Sequence, residues 1–123
     1  MLEDTAVISV ASHIPVFLAT QPVDFRKGME SLAAYVEVEY NLRAYSGAIF
    51  VFRNRRATSV KVLHWDGTGL ILVTKRLEDG SFVWPSVRDR TMKLSRSQFE
   101  ALFEGLDWTR VRPREVRQPV AAA

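Results

Sequence analysis

Between Ala48 and Pro85 the chain passes through four short apolar runs separated by turn-forming residues. Ala48–Phe52 is continuously apolar, and Arg53-Asn54-Arg55-Arg56 follows as a polar, basic turn. Ser59–Trp65 alternates, with Val60, Val62 and His64 on one side and Ser59, Lys61, Leu63 and Trp65 on the other. Asp66-Gly67-Thr68-Gly69 then supplies residues that tolerate left-handed dihedrals, as a hairpin turn requires. Leu70–Lys75 is the third run. Glu78-Asp79-Gly80 separates it from a fourth, Ser81–Trp84, which Pro85 stops. Short β-branched and aromatic runs joined by tight turns predict an antiparallel meander.

The flanks carry weaker signals. Val7–Val10 reads as a short strand or as part of a leader, and Val16–Ala19 as a strand ended by Gln21-Pro22. Asp24 is an N-cap candidate, and Met29, Leu32, Ala33, Val36 and Tyr40 recur at helical spacing, predicting a helix over 25–39. Gly28 inside that span either packs closely against a strand or marks a later helix start. Asn41 is a C-cap candidate. Ser86–Arg90 reads as a turn. Ser95-Arg96-Ser97-Gln98 matches a capping box, opening a helix with Phe99, Leu102 and Phe103 on its apolar face and Gly105 at its end. Leu106-Asp107-Trp108 is expected to fold back onto the core. From Thr109 onward periodicity stops, and two prolines with four arginines read as a disordered basic tail. The expected fold is α+β: one domain over 14–108, with about four or five strands in an antiparallel meander and two helices on one face. Residues 1–13 read as a flexible leader and 109–123 as the tail.

Nearly half of the 123 residues are apolar, enough for a single core. No apolar run approaches the roughly 20 residues of a membrane span, and no secretory signal is visible. There is no cysteine, which removes disulfide, thiolate and cysteine-metal chemistry and fits a cytoplasmic protein. The net charge of +3 is uneven: residues 43–93 carry 10 basic and 4 acidic side chains, residues 1–42 carry 2 and 6. The positive charge thus sits on the sheet and its turns. That pattern fits a polyanion partner, nucleic acid being the usual one, or else a solvated polar face.

Candidate chemistry is sparse. His13 and His64 lack the spaced partners of a metal site, so no metal and no cofactor is expected; His64 reads as a partly buried strand residue with a hydrogen-bond partner. Asp24, Asp66, Glu78, Asp79 and Asp89 could supply carboxylates to a two-metal nuclease, yet most occupy turn or cap positions that already account for them. No phosphate loop and no nucleophilic triad is present. The sharpest feature is the basic turn, where Arg53, Arg55 and Arg56 could each grip a phosphate bidentately. Lys61, Lys75 and Arg76 lie on adjoining strands, and Asn54 is either a turn former or a base contact. The interleaved Phe50, Phe52, Trp65, Phe82 and Trp84 are either core or stacking platforms for bases.

Several motifs together resemble a known family. Pro22-Val23-Asp24-Phe25-Arg26-Lys27-Gly28 with Leu32-Ala33, then Phe50–Arg56, Lys61–Gly69, Lys75–Pro85 and the stretch near Leu102–Trp108, resemble the small TnpB accessory protein of the insertion-sequence-66 family. That protein is distinct from the RNA-guided nuclease sharing its name. The resemblance covers about residues 14–110, with Phe25 standing where methionine is common. It implies a non-enzymatic accessory protein of a bacterial mobile element, made alongside a separate transposase and a second small protein. It brings no catalytic residues. Together with the basic turn it leads to an expected function: helping assemble the transposase at element ends by contacting DNA through Arg53, Asn54, Arg55, Arg56, Lys61, Lys75 and Arg76. The alternative is a module that docks on the transposase through Arg26-Lys27 or Trp65-Asp66. A nuclease using Asp24 and Asp66 is the third reading. The sequence leaves the oligomeric state open.

Overall fold

The computed structural model describes Ala11 and residues 13–112. The sheet is built around β2 (Ile49–Arg53), whose first four residues are buried. A strand apolar on both sides needs cover on both sides, and this dictates the layering. β1 (Val16–Ala19) leads through α1 (Met29–Glu39) into β2, and the two strands pair in parallel, Val16 opposite Ile49. A parallel pair requires such a long crossover. β3 (Ser59–Trp65) and β4 (Leu70–Arg76) continue from β2 as antiparallel hairpins. The chain then crosses to the far edge, where β5 (Thr91–Leu94) pairs antiparallel with β1. The order is β4-β3-β2-β1-β5.

Alternation along the strands splits the interior into two cores. Val16, Leu18, Ile49, Val51, Val60 and Val62 face α2 (Arg96–Phe103), the 3₁₀ turn Trp108–Arg110 and the crossing segment with Phe82. Ala19, Phe50, Phe52 and Leu63 face Leu32, Ala33 and Val36 of α1. The α+β class and the β2–β3–β4 meander are as expected, and so is the alternation of Ser59–Trp65.

Four details differ from the sequence reading. The sheet is mixed, because β1 inserts beside β2. The two helices lie on opposite faces rather than one, since β2 buries both of its sides. Ser81–Trp84 is not a strand. It crosses one face, donating from the Phe82 N–H to the Ala57 carbonyl (2.7 Å) and from Trp84 Nε1 to the Ala19 carbonyl (2.9 Å). The fifth strand is instead Thr91–Leu94, whose Met92 and Leu94 turn toward one core while Lys93 lies over the Phe17 ring on the other face. Finally, α1 begins at Met29 rather than Phe25, the later start that Gly28 left open, with Gly28 as an N-cap lacking a side-chain bond. Asp24 does not cap it. Its carboxylate accepts from the Arg26 N–H (2.9 Å) in a local turn, and the carbonyls of Phe25 and Lys27 are directed at Lys61. Asn41 follows the Tyr40 cap with φ of 54°, a left-handed conformation that asparagine tolerates.

The capping box of α2 is formed as read: Ser95 Oγ accepts from the Gln98 N–H (3.1 Å), and Gln98 Oε1 from the Ser95 N–H (2.9 Å). Ser95→Ala should cost about 1 kcal/mol, measured by urea denaturation. Gly105 ends the segment at φ +83°, the left-handed conformation that favours glycine, and a Cβ there would also crowd the Leu77 side chain, 3.0 Å from Cδ2. Trp108 folds back and is 2% exposed. The leader strand Val7–Val10 and most of the tail lie outside the described residues.

Candidate nucleic-acid interface

The turn between β2 and β3 is fixed by its own side chains. Asn54 Oδ1 accepts from the Thr58 N–H (2.9 Å) and the Ser59 N–H (3.0 Å), while Nδ2 donates to Thr58 Oγ1 (2.9 Å). Asn54 is therefore the turn former of the two options. Arg53 also folds inward. Its Nη1 donates to the Arg55 carbonyl (3.0 Å), its guanidinium lies 5.8 Å from the Trp84 ring centroid, and its buried Nε has no partner among the described residues. Burial pushes its pKa below the ordinary arginine value. Arg55 and Arg56 point outward, exposed, and make no ion pair among the described residues. Arg76 sits opposite Ser59 in register, so it borders the same turn, and it too is exposed.

The two lysines are committed to the fold. Lys61 Nζ donates to the carbonyls of Phe25 (2.7 Å) and Lys27 (2.9 Å) and lies 4.9 Å from the Phe25 ring centroid. Lys75 Nζ donates to the Phe103 carbonyl (2.6 Å) at the C-terminus of α2, where the helix dipole favours a cation. Of the seven side chains read as DNA contacts, the structure brings Arg55, Arg56 and Arg76 to one exposed end of the sheet. It turns Arg53, Asn54, Lys61 and Lys75 toward protein atoms.

That end is more extensive than the turn. The Val23 N–H donates to the Arg53 carbonyl (3.0 Å), drawing in the segment before α1. Thr20, 2% exposed, donates from its backbone N–H and from Oγ1 to the Arg90 carbonyl, both at 3.0 Å, fastening the 86–90 loop. Arg26 arrives there paired with Asp24 (2.6 Å), and Arg26 holds the Asp24 carboxyl far below its usual range. Lys27 lies over Tyr35 (5.3 Å). Arg90 pairs with Glu39 (3.3 Å). Arg88 is exposed on the same loop. The sequence does not place it at this end, because nothing in the polar stretch beyond Pro85 signals that the chain returns there.

Trp65 and Asp66 lie at the far end of β3 from the β2–β3 turn, whereas Arg26-Lys27 packs near its middle, where Lys61 bonds the Phe25 and Lys27 carbonyls. Asp66 Oδ1 accepts from the N–H groups of Thr68 and Gly69 (both 2.9 Å), which lowers its pKa and closes the hairpin. Trp65 meets Tyr45 edge-on (5.5 Å), and both line an open cleft of ≈ 480 Å³ with His13 and His64. Among the described residues the buried His64 Nδ1 has no hydrogen-bond partner, contrary to the expectation of one; its cross-strand neighbours are the apolar Ile49 and Ile71. Among the described residues no three His, Asp or Glu side chains converge as a metal site would need, and no helix is long and apolar enough to cross a membrane.

The family described as IS66 Orf2 like protein matches residues 14–113. The uncharacterized protein y4jC of Sinorhizobium fredii (strain NBRC 101917 / NGR234) is 43% identical over 117 residues, covering 95% of this chain and all of the relative. The uncharacterized protein y4hO of the same strain is 39% identical over 107 residues, covering 87% of this chain and 91% of the relative. No solved structure matches the chain significantly. With the match spanning the whole sheet and both helices, the chain belongs to the IS66 Orf2-like family.

Proposed function

We propose that this protein serves insertion-sequence transposition by binding DNA at the basic end of its sheet, helping to assemble the transposase on element ends. The family supports a transposition-related accessory role. The observation that carries the DNA reading is the presentation of Arg55, Arg56 and Arg76, exposed, around a turn held rigid by Asn54. Preorganised guanidiniums grip phosphates bidentately without first ordering a loop. In this reading the protein binds rather than catalyses, and its partners are DNA, the transposase and the element's second small protein.

The test is fluorescence anisotropy over a salt series, on duplexes carrying terminal repeats and on scrambled duplexes. The Arg55→Ala/Arg56→Ala double variant should lower the slope of log K against log salt by about 2 units while remaining folded. An unchanged slope would remove the turn from the interface. A second reading rests on the Tyr45–Trp65 pair in the cleft at the opposite end, where Tyr45 is 50% exposed. There the protein docks on the transposase. Co-purification that survives high salt and nuclease, and is lost in Trp65→Ala, would favour it.

A further inference from the structure

The two edges of the sheet differ in a way that matters. β5 is four residues long, and short edge strands resist pairing. β4 is seven residues, Leu70-Ile71-Leu72-Val73-Thr74-Lys75-Arg76, without proline, glycine or a break in its register against β3. Among the described residues it has no neighbour in the sheet beyond β3, and none makes a backbone hydrogen bond to its outer side. Its apolar residues are only half-buried. Leu70 and Leu72 extend one core and Val73 the other, each ending at the edge. Such a strand is a template for another.

We infer that β4 pairs with β4 of a second copy, antiparallel about a two-fold axis at Val73, to make a continuous ten-stranded sheet from the two five-stranded ones. Charge selects this arrangement. Parallel pairing would set Lys75 and Arg76 beside their own counterparts, which is repulsive. Antiparallel pairing sets Leu70 opposite Arg76 of the second copy, Ile71 opposite its Lys75 and Leu72 opposite its Thr74, with Val73 facing Val73. No like charges meet. The basic end of each strand then lies beside the Asp66–Gly69 turn of the other copy, where Asp66 spends Oδ1 on its own turn and Oδ2 accepts no hydrogen bond among the described residues. The apolar residues of both faces continue across the seam, and each core gains the cover it lacks at this edge.

The absence of cysteine makes the test clean. Residues facing each other in an antiparallel pair have Cα atoms about 4.5–5.5 Å apart, within disulfide reach. Val73→Cys should therefore give a disulfide-linked dimer rapidly under mild oxidation. Thr74→Cys and Ser97→Cys, off the axis and on α2, should give only slow background. The parent should sediment with a concentration-dependent mass approaching twice its 14.0 kDa, and its amides at 70–76 should exchange more slowly as concentration rises. A parent that stays at the mass of one chain at all concentrations overturns the inference. So does a dimer in which Val73→Cys links no faster than Ser97→Cys, since its seam lies elsewhere. Should Val73→Cys fail to fold, the exchange series on the parent decides. None of these variants touches Arg55 or Arg56, so the outcome is separate from that of the DNA reading.

Discussion

Trp108→Ala should cost about 3–5 kcal/mol of unfolding free energy. Trp108 is 2% exposed and packs into the core beneath α2 with Phe99, Leu102 and Phe82. Its Nε1 donates to the Val83 carbonyl at 2.7 Å, tying the C-terminal turn to the segment that crosses the sheet. The substitution opens a cavity of indole size and leaves that carbonyl without its donor. Small domains hold about 5–15 kcal/mol in total, so the loss takes a large share of the fold's stability. Urea denaturation of parent and variant measures it. Trp108→Phe, which keeps most of the apolar volume and loses the donor, should fall between them. A Trp108→Ala variant within 1 kcal/mol of the parent would mean that the C-terminal turn is not part of the cooperative unit, in which case the crossing segment and α2 cover the sheet unaided.

What could be read from the sequence follows the distance over which each signal acts. The hairpin β3–β4 was legible because Asp66-Gly67 and the alternation of Ser59–Trp65 are local. So was the capping box, whose two partners are three residues apart. β5 was not, since Thr91–Leu94 is a strand only by virtue of β1, more than seventy residues earlier. Ser81–Trp84 carried strand-like composition for another reason: Phe82 and Trp84 are there to cover a face. The two-faced burial of β2 was written in its unbroken apolar run, and that run, weighed properly, argues for helices on both sides. At the site, charge located the basic end of the molecule but not the job of each cation. Arg55 and Arg56 differ from Arg53 only in where the turn aims them. Lys61 and Lys75 resemble phosphate contacts until the carbonyls that they meet, some 34 and 28 residues away, are in view.

Lys61 gives the second large effect and separates its two readings. Its ammonium accepts nothing and donates to the Phe25 and Lys27 carbonyls at 2.7 and 2.9 Å, with the Phe25 ring 4.9 Å away. These are the last turns of chain before α1, whose Gly28 N-cap offers no side-chain bond of its own. The lysine thus anchors, from β3, a helix start that lacks a cap. Hydrogen bonds to a charged group contribute about 1.5–3 kcal/mol each; because the two share one ammonium at a partly exposed position, where water can take over part of the loss, Lys61→Met should cost about 2–4 kcal/mol rather than the full sum. Methionine keeps the apolar stem, which isolates the ammonium's part. Lys61→Arg should recover little, because a planar guanidinium does not converge on two carbonyls as a tetrahedral ammonium does. Hydrogen exchange should quicken first at Leu32, whose N–H bonds the Gly28 carbonyl at 2.9 Å. At temperatures where the variant remains folded, the salt slope of DNA binding should match the parent's. A Lys61→Met protein as stable as the parent but with a slope lower by about one unit would reverse the assignment and return Lys61 to the phosphate contacts.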